Sequence, residues 1–483
     1  MQSNKPAILV LILLLLCGGA APTTQPTSAP RGGTEPYAER YRPQFHFSAR
    51  KNWLNDPNGL VFYKGTYHLF FQHNPDGIDW GNMTWGHAVS RNLVGWTQVE
   101  HAIHPDALGT IFSGSAVVDW NNTSGFKAGP EAPLVALYTS AGGQNEASKG
   151  KPFTQSLTYS TDAGRTWMKY DKNPVVAHIR GDNRDPKVLW HAPTKRWIMA
   201  LYLDGPDYAL LASDDLKSWT HLQTLAGMPG TECPDFFELP IDGDAKNTRW
   251  VFWCANNRYV LGTFDGQTFT QTDGPYTLCD EKYCYAAQTY SDIPADDGRR
   301  IQEAWMRGAK VPEMPWNQQM AFPTVLTLRT ITGSVRLCKE PIREIETLRT
   351  RGFHRKGVTL SPGGEVFDDF EAELIELVAE IEPGTAKRFG FELRGQRIVY
   401  DREAGALEHV ACSSTKCELL NGRLLLHILV DRTSVETFID HGRASTVDFV
   451  VIDPANRTLK TIVEDGTITL RTLDVYPLKS GWQ

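Results

Sequence analysis

The feature that most constrains this fold is a short unit that recurs along the chain. Each copy is a strand end, a polar turn and an aromatic residue that opens the next strand. Ser90-Arg91-Asn92-Leu93-Val94-Gly95-Trp96 resembles Ser213-Asp214-Asp215-Leu216-Lys217-Ser218-Trp219. Ser160-Thr161-Asp162-Ala163-Gly164-Arg165-Thr166-Trp167 carries one insertion, and Thr263-Phe264-Asp265-Gly266-Gln267-Thr268-Phe269 is looser still. The aromatics Trp96, Trp167, Trp219 and Phe269 fall 71, 52 and 50 residues apart, the size of one four-stranded propeller blade. These copies leave room for a fifth blade over Tyr285 to Leu328. Helix-period patterns are scarce. Runs such as Leu60-Phe62, Tyr67-Phe71, Leu134-Tyr138, Trp197-Leu203 and Trp250-Cys254 are rich in β-formers and bounded by turn residues.

After about Glu346 the strands lengthen (Val358-Leu360, Phe389-Leu393, Ile398-Tyr400, Leu424-Val430, Val435-Ile439), which reads as a sandwich. Phe370 to Ile381 fits a helix face or a strand by periodicity, and its neighbours favour strand. The expected fold is therefore all-β: a five-bladed β-propeller over 40–345 followed by a C-terminal β-sandwich over 346–483.

The 483 residues carry a formal net charge of -7 with no basic patch, which argues against a nucleic-acid partner. At the N-terminus, Lys5 precedes an apolar run from Ala7 to Leu16 and the small residues Gly18 to Ala21. That is the layout of a signal peptide over 1–21, too short for a membrane span. A Pro/Thr/Ser-rich spacer over 22–39 follows. Cys17 offers a lipid anchor as an alternative, although Leu16 is large for the position before it. The expected location is secreted or cell-envelope. Cys279/Cys284 and Cys412/Cys417 are close enough to bridge in an oxidising compartment, and the odd total after Cys17 leaves at least one free thiol. No cysteine spacing suits zinc, so neither metal nor cofactor is expected. The sequence carries no signal for an oligomeric state.

Three acids stand in unusual local contexts: Asp56 in Asn52-Trp53-Leu54-Asn55-Asp56-Pro57-Asn58-Gly59, Asp185 in Asp182-Asn183-Arg184-Asp185-Pro186, and Glu232 in Gly230-Thr231-Glu232-Cys233-Pro234-Asp235. The nearby prolines favour an extended backbone, so each acid is expected at a strand position, with a tight turn at Asn58-Gly59. Each also falls early in its blade, ahead of the repeated turn. Three acids on channel-lining strands converge on one pocket, and like charges are not gathered without a use for them. Carboxylates flanking a glycosidic bond are the equipment for its hydrolysis.

Trp53-Leu54-Asn55-Asp56-Pro57-Asn58-Gly59, Phe112-Ser113-Gly114-Ser115, Arg184-Asp185-Pro186 and Glu232-Cys233 resemble the ordered signature of glycoside hydrolase family 32. Asp431-Arg432-Thr433-Ser434-Val435-Glu436-Thr437-Phe438 resembles a motif of that family's sandwich, and reads as a hairpin more than a site. The resemblance implies a secreted, retaining β-fructosidase that removes terminal fructosyl units from levan or inulin, and also from sucrose, through a fructosyl-enzyme intermediate. It implies Asp56 as nucleophile, Glu232 as acid/base and Asp185 as transition-state stabiliser. It also implies Trp53, Asn55, Gln72, Trp80, Phe112, Ser113 and Arg184 as substrate-binding residues. Trp305 and Trp316 are candidates for the fifth-blade wall, and His68, His73 and His87 read as structural. Thr231 departs from the bulky aromatic of many relatives, which bears on the outer subsite and not on the chemistry. The alternatives are a sucrose-preferring invertase and a non-catalytic fructan-binding protein.

Overall fold

The computed structural model describes residues 37–410 and 413–482. The expected signal peptide, most of the spacer, Cys17 and Cys412 lie outside the described residues. Five antiparallel blades make the propeller, each named here by its innermost strand: Asn52–Tyr63 (blade I), Thr110–Val118 (II), Arg184–His191 (III), Asp235–Ile241 (IV) and Tyr285–Thr289 (V); blades IV and V join in one nine-stranded sheet through the parallel pair Ile241↔Leu328. In blades I to IV the three outer strands follow in chain order; blade V is completed by Arg300–Met306, Thr324–Ile331 and Ser334–Pro341. The fifth blade thus extends past the expected Leu328.

The repeated unit joins the third and fourth strands of its blade. In three copies the turn has a non-glycine residue at positive φ: Leu93 (63°), Ala163 (60°, followed by Gly164 at 81°) and Leu216 (63°). The indole N–H of the following tryptophan closes back on the turn: Trp96 to Leu93 O at 3.0 Å, Trp167 to Gly164 O at 3.2 Å, and Trp219 to Leu216 O at 3.0 Å. Asn92, Asp162 and Asp215 accept backbone N–H bonds within these turns. That local capping explains why Asx and Trp recur together.

Beyond Pro341 a short 3-10 turn, Arg343–Leu348, leads into the sandwich. One sheet has six strands and the other five. Between Phe370 and Ile381 the strand begins only at Ile375. Ile375, Leu377, Ala379 and Ile381 alternate into the core, so period two prevails over the helical reading. The sandwich motif is a hairpin, and its acids dock on the propeller. His46 bridges Asp431 and Glu436 at 2.8 Å each, all three buried. Asp431 also accepts the backbone N–H groups of Gln44 and Phe45. His68 and His87 are buried and hydrogen-bonded to each other at 3.0 Å.

Cys279 and Cys284, close enough in sequence to bridge, are not bridged. Both are free, buried thiols in hydrogen-bond contact, with Lys339 Nζ 3.9 Å from the Cys284 sulfur.

Candidate active site

The five innermost strands enter the propeller at one mouth, where a cavity of about 380 Å³ opens. Consecutive residues of a regular strand face opposite ways. Here consecutive pairs face the same cavity, because the inner strands are bulged at this end. Asn55 and Asp56 oppose the single residue Gln72, between the pairs Leu54↔His73 and Pro57↔Phe71. Ser113 is the extra residue between Phe112↔Thr139 and Gly114↔Tyr138. Asp185 and Pro186 form the irregularity between Arg184↔Tyr202 and Lys187↔Ala200. Each bulge turns a carboxylate or its hydrogen-bond partner into the funnel.

These bulges correct three backbone expectations. Asn58-Gly59 is no turn: the strand runs on through a second bulge, with Gly59 at φ 54°. Only glycine fits there, since an added Cβ would lie 2.6 Å from Phe70. Asp185 is not extended ahead of its proline but sits at φ 64°, its N–H held by Thr139 Oγ1 at 2.9 Å. Glu232 is not on a strand. It precedes the blade IV inner strand, at φ 58°, and Cys233 follows at 31°. Left-handed backbone at three residues around one pocket is the strain expected of a site fixed by its surroundings.

The carboxylates are held by distinct partners. Asp56 accepts from Ser113 Oγ at 2.6 Å and from Asn55 Nδ2 at 3.1 Å. Glu232 accepts from Arg184 Nη2 on one oxygen and Tyr285 Oη on the other, both at 2.5 Å. Asp185 takes the Cys233 N–H at 3.1 Å and lies 3.7 Å from Arg184 Nε. The Cys233 sulfur stands 3.5 Å from both Asp56 and Asp185. Arg184 therefore spans two acids, and Cys233 spans the other pairing. Burial pushes Asp56 up from the usual carboxylate range, against the opposing bonds from Ser113 and Asn55. Burial pushes Asp185 up to about 7, with Arg184 opposing. Burial also acts upward on Glu232, but the Tyr285 bond and the Arg184 pair prevail and leave it lowered.

Of the residues expected to bind substrate, Asn55, Gln72, Trp80, Phe112, Ser113 and Arg184 line the cavity. The Gln72 side-chain nitrogen is buried with no partner among the described residues, a donor available to a hydroxyl. Trp80 is 52% exposed and meets Phe112 edge-on at the rim. Trp53 stands behind the wall, its indole N–H donating to Asn55 at 2.7 Å and its ring against Trp305. Trp305 lines the cavity, whereas Trp316 is buried beneath the Arg42 guanidinium. Gln144, Phe153, Cys233 and Tyr285 also line it and are additions to the expected set. Tyr285 was findable, since it opens the inner strand of blade V in the phase Arg184 occupies in blade III. Among the described residues no group of His, Cys, Asp or Glu could hold a metal ion.

A propeller funnel that gathers three carboxylates around one cavity suits a glycoside hydrolase. The family model of the Glycosyl hydrolases family 32 N-terminal domain matches residues 46–341, and that of the Glycosyl hydrolases family 32 C terminal matches residues 344–477. A levanase of Bacillus subtilis is 37% identical over 528 aligned residues, covering 100% of this chain and 76% of the relative. An extracellular exo-inulinase of Aspergillus niger is 33% identical, covering 92% of this chain and 96% of the relative. The crystal structure of exo-inulinase from Aspergillus awamori has a TM-score of 0.80 at 29% identity, covering 92% of this chain and 100% of that one. A fructofuranosidase from Schwanniomyces occidentalis complexed with fructose has a TM-score of 0.83 at 25% identity, covering 92% and 100%. The chain belongs to glycoside hydrolase family 32.

Proposed function

We propose that this enzyme is a retaining β-fructosidase that releases terminal fructosyl units from fructan. Asp56 attacks the anomeric carbon while Glu232 protonates the leaving oxygen. A fructosyl ester on Asp56 forms as the glycosidic bond breaks. Water, deprotonated by Glu232, then hydrolyses the ester and returns Asp56 as a carboxylate. Asp185 and Arg184 bind sugar hydroxyls beside the reacting carbon, with Asn55, Gln72 and Ser113 around the ring and Trp80 and Phe112 at the rim. The observation that carries the reading is the separation of roles in the hydrogen bonding. Asp56 receives neutral donors only, whereas Glu232 is gripped by a cation and a phenol.

The chemistry requires Glu232 protonated opposite an ionised Asp56. Arg184 is the lever. Hydroxyls that take its N–H groups loosen the Glu232 pair and let that carboxyl rise to hold a proton. The relatives described as levanase and exo-inulinase support fructan as the substrate class.

Residues 1–21 act as an export signal in this reading and 22–39 as a spacer. A relative described as extracellular supports this. Mass analysis of the secreted chain tests it: a start near residue 21 supports a cleaved signal, and a lipidated Cys17 refutes it.

The deciding experiment is product analysis on levan, inulin and sucrose. Free fructose from a fructan is the expected result. Strong sucrose preference refutes the fructan assignment, and binding without turnover refutes catalysis. The Asp56→Asn enzyme is expected to lose about 10⁴-fold or more in kcat while still binding sugar; retained activity refutes the nucleophile.

A further inference from the structure

The inner strands run through the propeller to a second mouth, at their C-terminal ends. A separate cavity of about 380 Å³ lies there. The channel between the two mouths is plugged. Lys187 donates to Thr289 O at 2.6 Å and pairs with Asp235 at 3.4 Å; Asp235 accepts the Thr289 N–H at 2.5 Å; Gln288 donates to Gly114 O at 3.1 Å. The two cavities share no lining residue.

Three observations describe what the rear cavity suits. Its walls are indoles: Trp190, half-buried and edge-on to Trp197 with ring centroids 4.9 Å apart, and Trp250, packed on Phe236. Its lining charges balance, Lys187 and Arg300 against Asp292 and Glu238, so it presents no field for an anion. One of its donors is uncommitted. The Arg300 guanidinium rests over Phe237 at 5.3 Å and makes no hydrogen bond or ion pair among the described residues. A half-buried guanidinium whose N–H fork has no protein partner among the described residues is a donor open to a ligand's hydroxyls. Beside it, Asp292 is fixed by Val118 N and by the indole N–H of Trp120; Trp120 is 59% exposed and lines an adjoining cavity that shares Asp292 with this one. Aromatic walls, mixed donors and acceptors and no net charge suit a neutral polyhydroxylated ring.

We propose that the rear mouth is a second, non-catalytic carbohydrate site that holds a segment of fructan. The sugar's identity rests on the functional reading above; the site does not.

The test uses the Asp56→Asn protein, which holds sugar without consuming it. Calorimetric titration with a fructo-oligosaccharide is expected to show two sites per chain. Adding Arg300→Gln or Trp120→Ala is expected to abolish the second and leave the first. Trp120 is exposed, so its variant keeps the fold even where the Arg300 change does not, and melting curves verify this. One site in the Asp56→Asn protein overturns the proposal, as does retention of both sites in the Arg300→Gln/Trp120→Ala double variant. Fructose release by the wild-type enzyme reads the catalytic assignment separately. Turnover with a single site refutes only the rear mouth, and two sites without turnover refute only the catalysis.

Discussion

Tyr285→Phe isolates what sets the acid/base residue. Tyr285 Oη donates to one Glu232 oxygen at 2.5 Å while Arg184 holds the other at 2.5 Å. Burial, then the Glu232 charge, pushes the Tyr285 phenol far up, so it is a fixed donor across the working range. The phenylalanine variant removes one of two bonds to the ionised carboxylate and leaves the ring. A hydrogen bond to a charged group contributes about 1.5–3 kcal/mol. The Glu232 side chain is 31% exposed, so water replaces part of the loss and the lower end applies. At about 1.4 kcal/mol per pH unit, the acidity of Glu232 moves by about one pH unit. The sign is upward: losing a donor disfavours the ionised form, so the proton persists to higher pH. Because Glu232 must be protonated for the first step, the alkaline limb of kcat/KM is expected to move up by about one pH unit, with a lower plateau. Initial rates of fructose release across the bell supply the measurement. An unmoved alkaline limb, or one displaced to lower pH, refutes the assignment of Glu232 as the acid held by Tyr285.

Ser113→Ala removes the 2.6 Å donor to Asp56. It is expected to raise the acidic limb by about one pH unit, because the nucleophile then takes up a proton at higher pH; an unchanged limb counts against the role of Asp56. Gly59→Ala puts a Cβ against Phe70 at positive φ and is expected to cost about 1–3 kcal/mol in denaturant unfolding. His46 is raised to about 9 by its bonds to Asp431 and Glu436, which outweigh burial. Its folded value exceeds its unfolded one, so its stabilisation is complete below about pH 6.5 and lost as pH rises through about 9. His46→Gln is expected to cost about 3–5 kcal/mol and to flatten that alkaline decline in the melting temperature.

The readable part of this protein was what a short stretch of chain decides for itself. The repeated turn announces a blade because Ser, Asx and Trp satisfy one another within seven or eight residues. Asp56, Asp185 and Glu232 stood out through local company and blade phase. Tyr285 is marked only by its blade phase and Gln144 by nothing local, and both reach the cavity because the propeller closes. The pre-proline rule pointed the wrong way at Asp185 because the tertiary bond its N–H donates to Thr139 Oγ1 outweighs the local preference. The two thiols at Cys279 and Cys284 had the spacing for a bridge, yet spacing does not fix the sulfur geometry a bond needs.

The bulges supply the missing physical account of the motifs. A flat inner strand could give the funnel Asn55 or Asp56, Phe112 or Ser113, Arg184 or Asp185, but not both of a pair. The chemistry needs both: Asp56 with its Asn55 donor, and Asp185 beside the Arg184 that also grips Glu232. A bulge delivers two neighbours to one face at the expense of ladder bonds and backbone strain. That explains why glycines and prolines crowd these segments: Pro186 lies where pairing is already broken, Pro57 closes the bulge beside Asp56, and Gly59 and Gly114 lie where a Cβ would strike Phe70 or the Leu137 carbonyl. On this argument the motif is read as a backbone instruction as much as a list of reactive groups. A substitution that straightens a bulge then acts through Asp56 or Asp185 without touching either side chain.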